Sequence, residues 1–99
     1  MKFINLTNRP VTVQATSGII TIPSHGYCGF TVHRGQPMVL ERMEVTPELL
    51  FPVGVPDAEP GVMLIVPRDV RLHLSHRKDL LTPDGLDESG VYWRFVANA

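Results

Sequence analysis

The stretch that decides the fold is Val62–Val66, VMLIV, a continuous apolar run bounded by Gly61 and Pro67. A half-exposed strand alternates apolar and polar residues, so an uninterrupted run of this length reads as a strand covered on both faces. We take it as the central strand of the domain. The segment that follows, PRDVRLHLSHRK, carries two periods at once. Val70, Leu72 and Leu74 alternate like a strand, whereas Pro67 at the opening and Val70 four residues before Leu74 suit a short helix; the second reading is the one adopted for residues 68–76. Beyond it, DLL at Asp79–Leu81 reads as a further strand, followed by the turn-rich TPDGLDESG and a last strand, VYWRFV.

Upstream, KFINL and VTVQA each alternate, and TNRP between them has Asn and Pro turn chemistry, which predicts a hairpin. IITI and YCGFTVHR follow as short strands, with Cys28, Phe30 and Val32 on one face of the latter and Tyr27, Gly29, Thr31 and His33 on the other. MVLERMEV reads as one more strand, one face of which must be solvated or paired because it carries Glu41, Arg42 and Glu44. Thr46–Gly61 holds Pro47, Pro52, Pro56 and Pro60, each of which removes a backbone donor. It is expected to be an irregular loop with at most one helical turn at Pro47–Leu50, capped by Thr46.

These elements predict a mainly β, single-domain chain over residues 1–99, a small barrel or sandwich with at most one or two short helices. Such a domain must manage its sheet edges by closure or by pairing with another copy, so a homo-oligomer is expected. At 99 residues it has room for one core. Nine Lys and Arg against ten Asp and Glu give a formal charge of −1, which argues against general nucleic-acid binding. The single cysteine excludes an intrachain disulfide and a thiolate zinc cluster. With no apolar run of signal-peptide or membrane-span length, the expected location is the cytoplasm, or the host cytoplasm for a phage-encoded protein, with no membrane partner.

Two segments, NLTNRPV at Asn5–Val11 and PGVMLIVP followed by RKDLLTPD, together with the proline-rich loop between them, carry a resemblance. They are similar to those of a family of small, uncharacterised proteins encoded by bacteriophages and by bacteria with phage-like genes. That family has an N-terminal Asn-Leu-Thr-Pro-His-Pro segment and a later Arg-x-Asp-Leu signature. Asn8 and Arg9 stand where the family has Pro and His, whereas Arg77, Asp79 and Leu80 match the later signature.

Catalytic and metal chemistry find little footing. His25, His33, His73 and His76 lack a Cys or carboxylate at ligand spacing. Cys28 is placed on a buried face, where a thiol is inert, and the adjacent pairs Ser24-His25 and Ser75-His76 do not amount to a triad. Asp84, Asp87 and Glu88 fall outside the EF-hand pattern, and the scattered glycines form no phosphate-binding loop. No catalytic residue, metal site or cofactor is expected.

Two functional readings remain. In the first, Asn5, Thr7 and Arg9 from the first turn meet Arg77 and Asp79 around a small anionic or nucleotide-derived ligand, with Tyr92 or Trp93 stacking on a base. The bland counterpart is an Arg77–Asp79 surface pair contributing about 0–1 kcal/mol. Seven of the nine cations are Arg, which suits anion recognition. Combined with the resemblance, this implies a phage-associated accessory protein that sequesters a host signalling or defence molecule. In the second reading the chain is a non-catalytic protein-interaction or structural oligomer module that uses the proline-rich loop, residues 46–61, and its edge strands. In the last strand, Val91, Trp93 and Phe95 are expected to face the core, and Tyr92 and Arg94 to be free for a partner.

Overall fold

The computed structural model describes residues 1–99 and is built around a four-stranded sheet in the order β1-β8-β9-β10. Its strands are β1 (Lys2–Asn5), β8 (Val62–Ile65), β9 (Leu80–Asp84) and β10 (Arg94–Ala97). The VMLIV run is its hub: β8 pairs in parallel with β1 on one side and with β9 on the other. Alternation along β8 then sends successive side chains into two different cores. Leu64 and Val66 join Leu6, Cys28, Val70 and Leu80 on one face, while Ile65 joins Val11 and Leu81 on the other. Leu64, Ile65 and Val66 are all fully buried, which is why neither face of the run needed a polar residue.

The first core is closed by α1 (Arg68–His73), the crossover that the parallel β8–β9 pair requires. Helix wins over strand here because Val70 packs into the core and half-buried Leu74 packs against it, whereas Leu72 points to solvent. Asp69 supports the start, its Oδ1 accepting the Val70 N–H at 2.9 Å. The second core is covered by the hairpin of β2 (Val11–Ala15) and β3 (Gly18–Ile22), which presents Val11 and Ile22 to Ile65. The expected hairpin between β1 and β2 does not form: β1 pairs with β8, and the turn at Asn5–Pro10 carries the chain from the sheet to the covering hairpin.

The remaining strands leave the head beyond Phe30, which still packs on the first core and sits edge-on to His73. β4 (Gly29–Arg34) pairs with β7 (Glu48–Val53), and beyond them β5 (Met38–Leu40) pairs with β6 (Met43–Val45), giving one long hairpin from Gly29 to Val53. The expected single strand MVLERMEV is thus split by a tight turn in which Glu41 and Arg42 have φ of 49° and 68°. Two consecutive positive φ values match the twist of a two-residue hairpin loop, although neither residue is the Asn or Gly that normally marks one. The proline-rich segment is corrected as well: Glu48–Val53 is strand, there is no helical turn at Pro47–Leu50, and the residues after Val53 run irregularly to β8. Pro52 fits because β7 lies at the edge of its two-stranded sheet, where a missing donor is tolerated.

This arm dominates the shape. The molecule measures 61 × 34 × 25 Å with a radius of gyration of 17.3 Å, against about 13 Å for a compact chain of this length. The accessible surface is 7140 Å², some 1,500 Å² above the roughly 5,600 Å² of a compact monomer of this mass. The expected β-rich class holds, and the sheets do not close into a barrel.

Candidate functional site

Asn5 sits at the end of β1 with no exposed surface. Its Nδ2 donates to the carbonyls of Arg9 at 2.8 Å and Ile22 at 3.0 Å. Its Oδ1 accepts the Thr7 N–H at 3.0 Å and lies 2.6 Å from Thr7 Oγ1. A side-chain amide bonded two residues ahead is an Asx-turn, and here it also binds the turn to β3. The hydrogen-bonding groups of Asn5 are therefore spent inside the protein. Arg9 contributes its carbonyl to this network, and its own side chain is exposed.

Arg77 and Asp79 form a bidentate pair, Nε to Oδ1 at 2.8 Å and Nη2 to Oδ2 at 2.7 Å, with side chains only 17% and 14% exposed. Nη2 also donates to the Pro56 carbonyl at 3.0 Å. The hydrogen bond from Arg77 holds the Asp79 carboxyl below the usual carboxylate range, and the same bond tightens the hold of Arg77 on its proton. The pair is thus a clamp that ties the segment leaving the arm, whose Val55 packs on the first core, to the turn between α1 and β9.

The two motifs do not converge. Asn5 is level with Ile65 and Leu81, Asp79 precedes β9, and β8 lies between β1 and β9. They are separated by two strand spacings, about 10 Å, with Asn5 at the last position of β1 and Asp79 just before the first position of β9. Tyr92 is remote from both in role: it bridges to Val13, its N–H donating to Thr12 O at 2.8 Å and its carbonyl accepting from Gln14 at 2.8 Å, while its ring packs on the second core. The expected orientation of the last strand is reversed at this point, since Tyr92 is half-buried and Trp93 is 64% exposed.

Other candidates resolve into structural roles. Cys28 is 1% exposed, and burial pushes its thiol up to about 11. Asp87 accepts from the N–H groups of Ser89 and Val91, so it organises its own turn. No three His, Cys, Asp or Glu side chains gather into a metal-binding set.

What the sequence reading missed is the arm. Every residue from Thr31 to Phe51 is exposed, including Val32, Met38, Val39, Leu40, Met43, Leu49, Leu50 and Phe51. The pairing register puts Val32 opposite Leu50 and, on the other face, Thr31 opposite Phe51 and His33 opposite Leu49. Farther out, Met38, Val45, Leu40 and Met43 form an all-apolar quartet on one face of the β5–β6 ribbon. Arg34 and Glu48 pair across the strands at 3.1 Å. The one signal in the sequence was the density of large apolar residues in two segments flanking Glu41-Arg42, with no turn residue to show that they fold onto each other rather than onto the core.

Comparison with family models, with curated proteins and with solved structures finds no match to this chain. No helix is long and apolar enough to cross a membrane.

Proposed function

We propose that this protein is a non-catalytic oligomer module whose Gly29–Val53 arm packs against the arm of a second copy. The observation that carries the reading is the run of exposed residues on a two-stranded ribbon rich in Leu, Val, Met and Phe. An isolated hairpin of two strands is marginal in water, and an exposed apolar ribbon with two free edges invites pairing. The surface in excess of a compact monomer, some 1,500 Å², comfortably covers the roughly 800 Å² that each partner gives to a standard interface.

A second copy fits this surface better than a strongly charged partner does. The arm holds Arg34 and Arg42 against Glu41, Glu44 and Glu48, a nearly balanced set with both signs at the tip and at mid-arm. Laid antiparallel about a two-fold axis, the tip acids of one arm lie toward Arg34 of the other, and the apolar rows lie between them. The alternative reading, a ligand held by Asn5, Thr7, Arg9, Arg77, Asp79 and Tyr92, draws no support from groups already bonded within the chain or set apart by β8.

Sedimentation velocity on the wild type and on a Leu40→Glu/Leu49→Glu double variant tests the reading. Both positions are exposed, at 53% and 64%, so the head keeps its fold and its far-ultraviolet circular dichroism. The expected result is a wild-type particle of twice the 11.0 kDa chain mass and a variant at the chain mass. A monomeric wild type, or a variant that stays dimeric, overturns it.

A further inference from the structure

One cavity opens in the head, away from the arm. It has a volume of about 370 Å³ and is lined by Arg68, Arg71, Thr82, Pro83, Asp84 and Val96. Arg71 is the unusual member, because it is an arginine only 7% exposed as a residue, and the hydrogen-bond partners of its guanidinium are all neutral. Nε donates to Thr82 Oγ1 at 3.0 Å and Nη1 to Asn98 Oδ1 at 3.1 Å, and no carboxylate lies within ion-pair distance of it. Buried charges are ordinarily paired, since leaving one without a counterion costs solvation that neutral acceptors restore only in part.

The free end of Arg71 is identifiable. Nη2 makes no hydrogen bond, yet no buried side-chain nitrogen or oxygen lacks a partner, so Nη2 reaches accessible space, and the cavity is the space that Arg71 lines. Thr82 Oγ1, having accepted from Nε, keeps its own proton to donate. Arg68 is exposed on the preceding turn position of α1 and adds a second guanidinium. Asp84 is the only acid in the lining, and Arg94 engages it at 3.0 Å from Nε and 2.8 Å from Nη2.

We infer that this cavity binds the phosphoryl group of a small phosphorylated molecule. Its lining is polar and carries two guanidinium groups against one acid that is already paired. With Nε of Arg71 taken by Thr82, its side-on fork for a planar carboxylate is closed. Single donors from Arg71, Arg68 and Thr82 instead come from different residues, which suits the diverging oxygens of a tetrahedral oxyanion. The volume exceeds that of a phosphate alone and falls in the range of small-molecule sites. This inference is independent of the arm, and the arm variants leave it unchanged.

The test is isothermal titration calorimetry of the full chain with inorganic phosphate, with phenyl phosphate and with acetate. Saturable binding of both phosphates and none of acetate is expected, with Arg68→Gln weakening it about 10-fold and Arg71→Gln abolishing it. Arg68 is exposed and makes no side-chain bond, so its variant keeps the fold and decides the matter even where Arg71→Gln disturbs the Asn98 contacts. Absence of phosphate binding to the wild type, binding unaltered by Arg68→Gln, or equal binding of acetate each overturns the assignment.

Discussion

Replacing Arg77 with Met keeps the aliphatic stem and removes the guanidinium that clamps Asp79 and Pro56. Two charge-assisted bonds and one to a carbonyl are lost, and a carboxylate only 14% exposed is left without its counterion. Removing one member of a largely buried pair costs about 3 kcal/mol, most of it the uncompensated charge. For a chain of this size that is a fall in Tm of roughly 15 °C. The loss also has a pH signature. Asp79 titrates below its unfolded value because Arg77 bonds to it, so its contribution is fully present above the unfolded carboxyl pKa of about 4 and disappears as pH falls through the lower folded value. Urea unfolding of wild type and Arg77→Met at one protein concentration, at neutral pH and near pH 2.5, reads both effects. The gap between the two proteins is expected to be wide at neutrality and narrow in acid. A neutral-pH difference within about 0.5 kcal/mol, the level of an ordinary surface substitution, would refute the clamp.

Asn5→Ala removes the side-chain bonds to the carbonyls of Arg9 and Ile22 and leaves the N–H of Thr7 without its acceptor, so it should cost about 3 kcal/mol by thermal unfolding, whereas Arg9→Ala, exposed and unbonded through its side chain, should cost less than about 0.5 kcal/mol. Gly54 has φ of 80°, and a Cβ there would lie 2.6 Å from the Tyr27 carbonyl; Gly54→Ala is expected to destabilise the arm base by about 2 kcal/mol, read from faster amide exchange in β4 and β7. Cys28, with its thiol pushed up to about 11, should react with iodoacetamide at pH 8 at least about 100-fold more slowly than free cysteine. Full reactivity should return in denaturant.

Local reasoning reached far into the head. Val62–Val66 was legible as a strand covered on both faces because such a strand can dispense with polar residues, whereas the segment after it carried both a strand and a helix period, and the helix that forms, Arg68–His73, is shorter than the 68–76 expected. The candidate site was far less so. Arg77 and Asp79 were recognisable as a pair from their spacing, but their bond to Pro56 joins residues distant in sequence. The uncompensated state of Arg71 was invisible, since it depends on Thr82 and Asn98 coming to the same place. Trp93 is exposed and Tyr92 half-buried, the opposite of what strand alternation through Val91–Phe95 predicts, because both residues precede β10 and Tyr92 bridges to Val13 instead.

The sequence by itself determined a β-rich chain with at most one or two short helices, a buried cysteine and a two-sided central strand, all of which follow from side-chain periodicity over a few residues. Only the tertiary structure decided that β1 joins β8 instead of β2, and that Gly29–Val53 leaves the head as an arm. The reason is physical: apolar residues alternate in the same way whether the surface that covers them is the chain's own or another's. Strand partners are chosen by non-local hydrogen bonding and burial, which a short stretch of sequence does not encode.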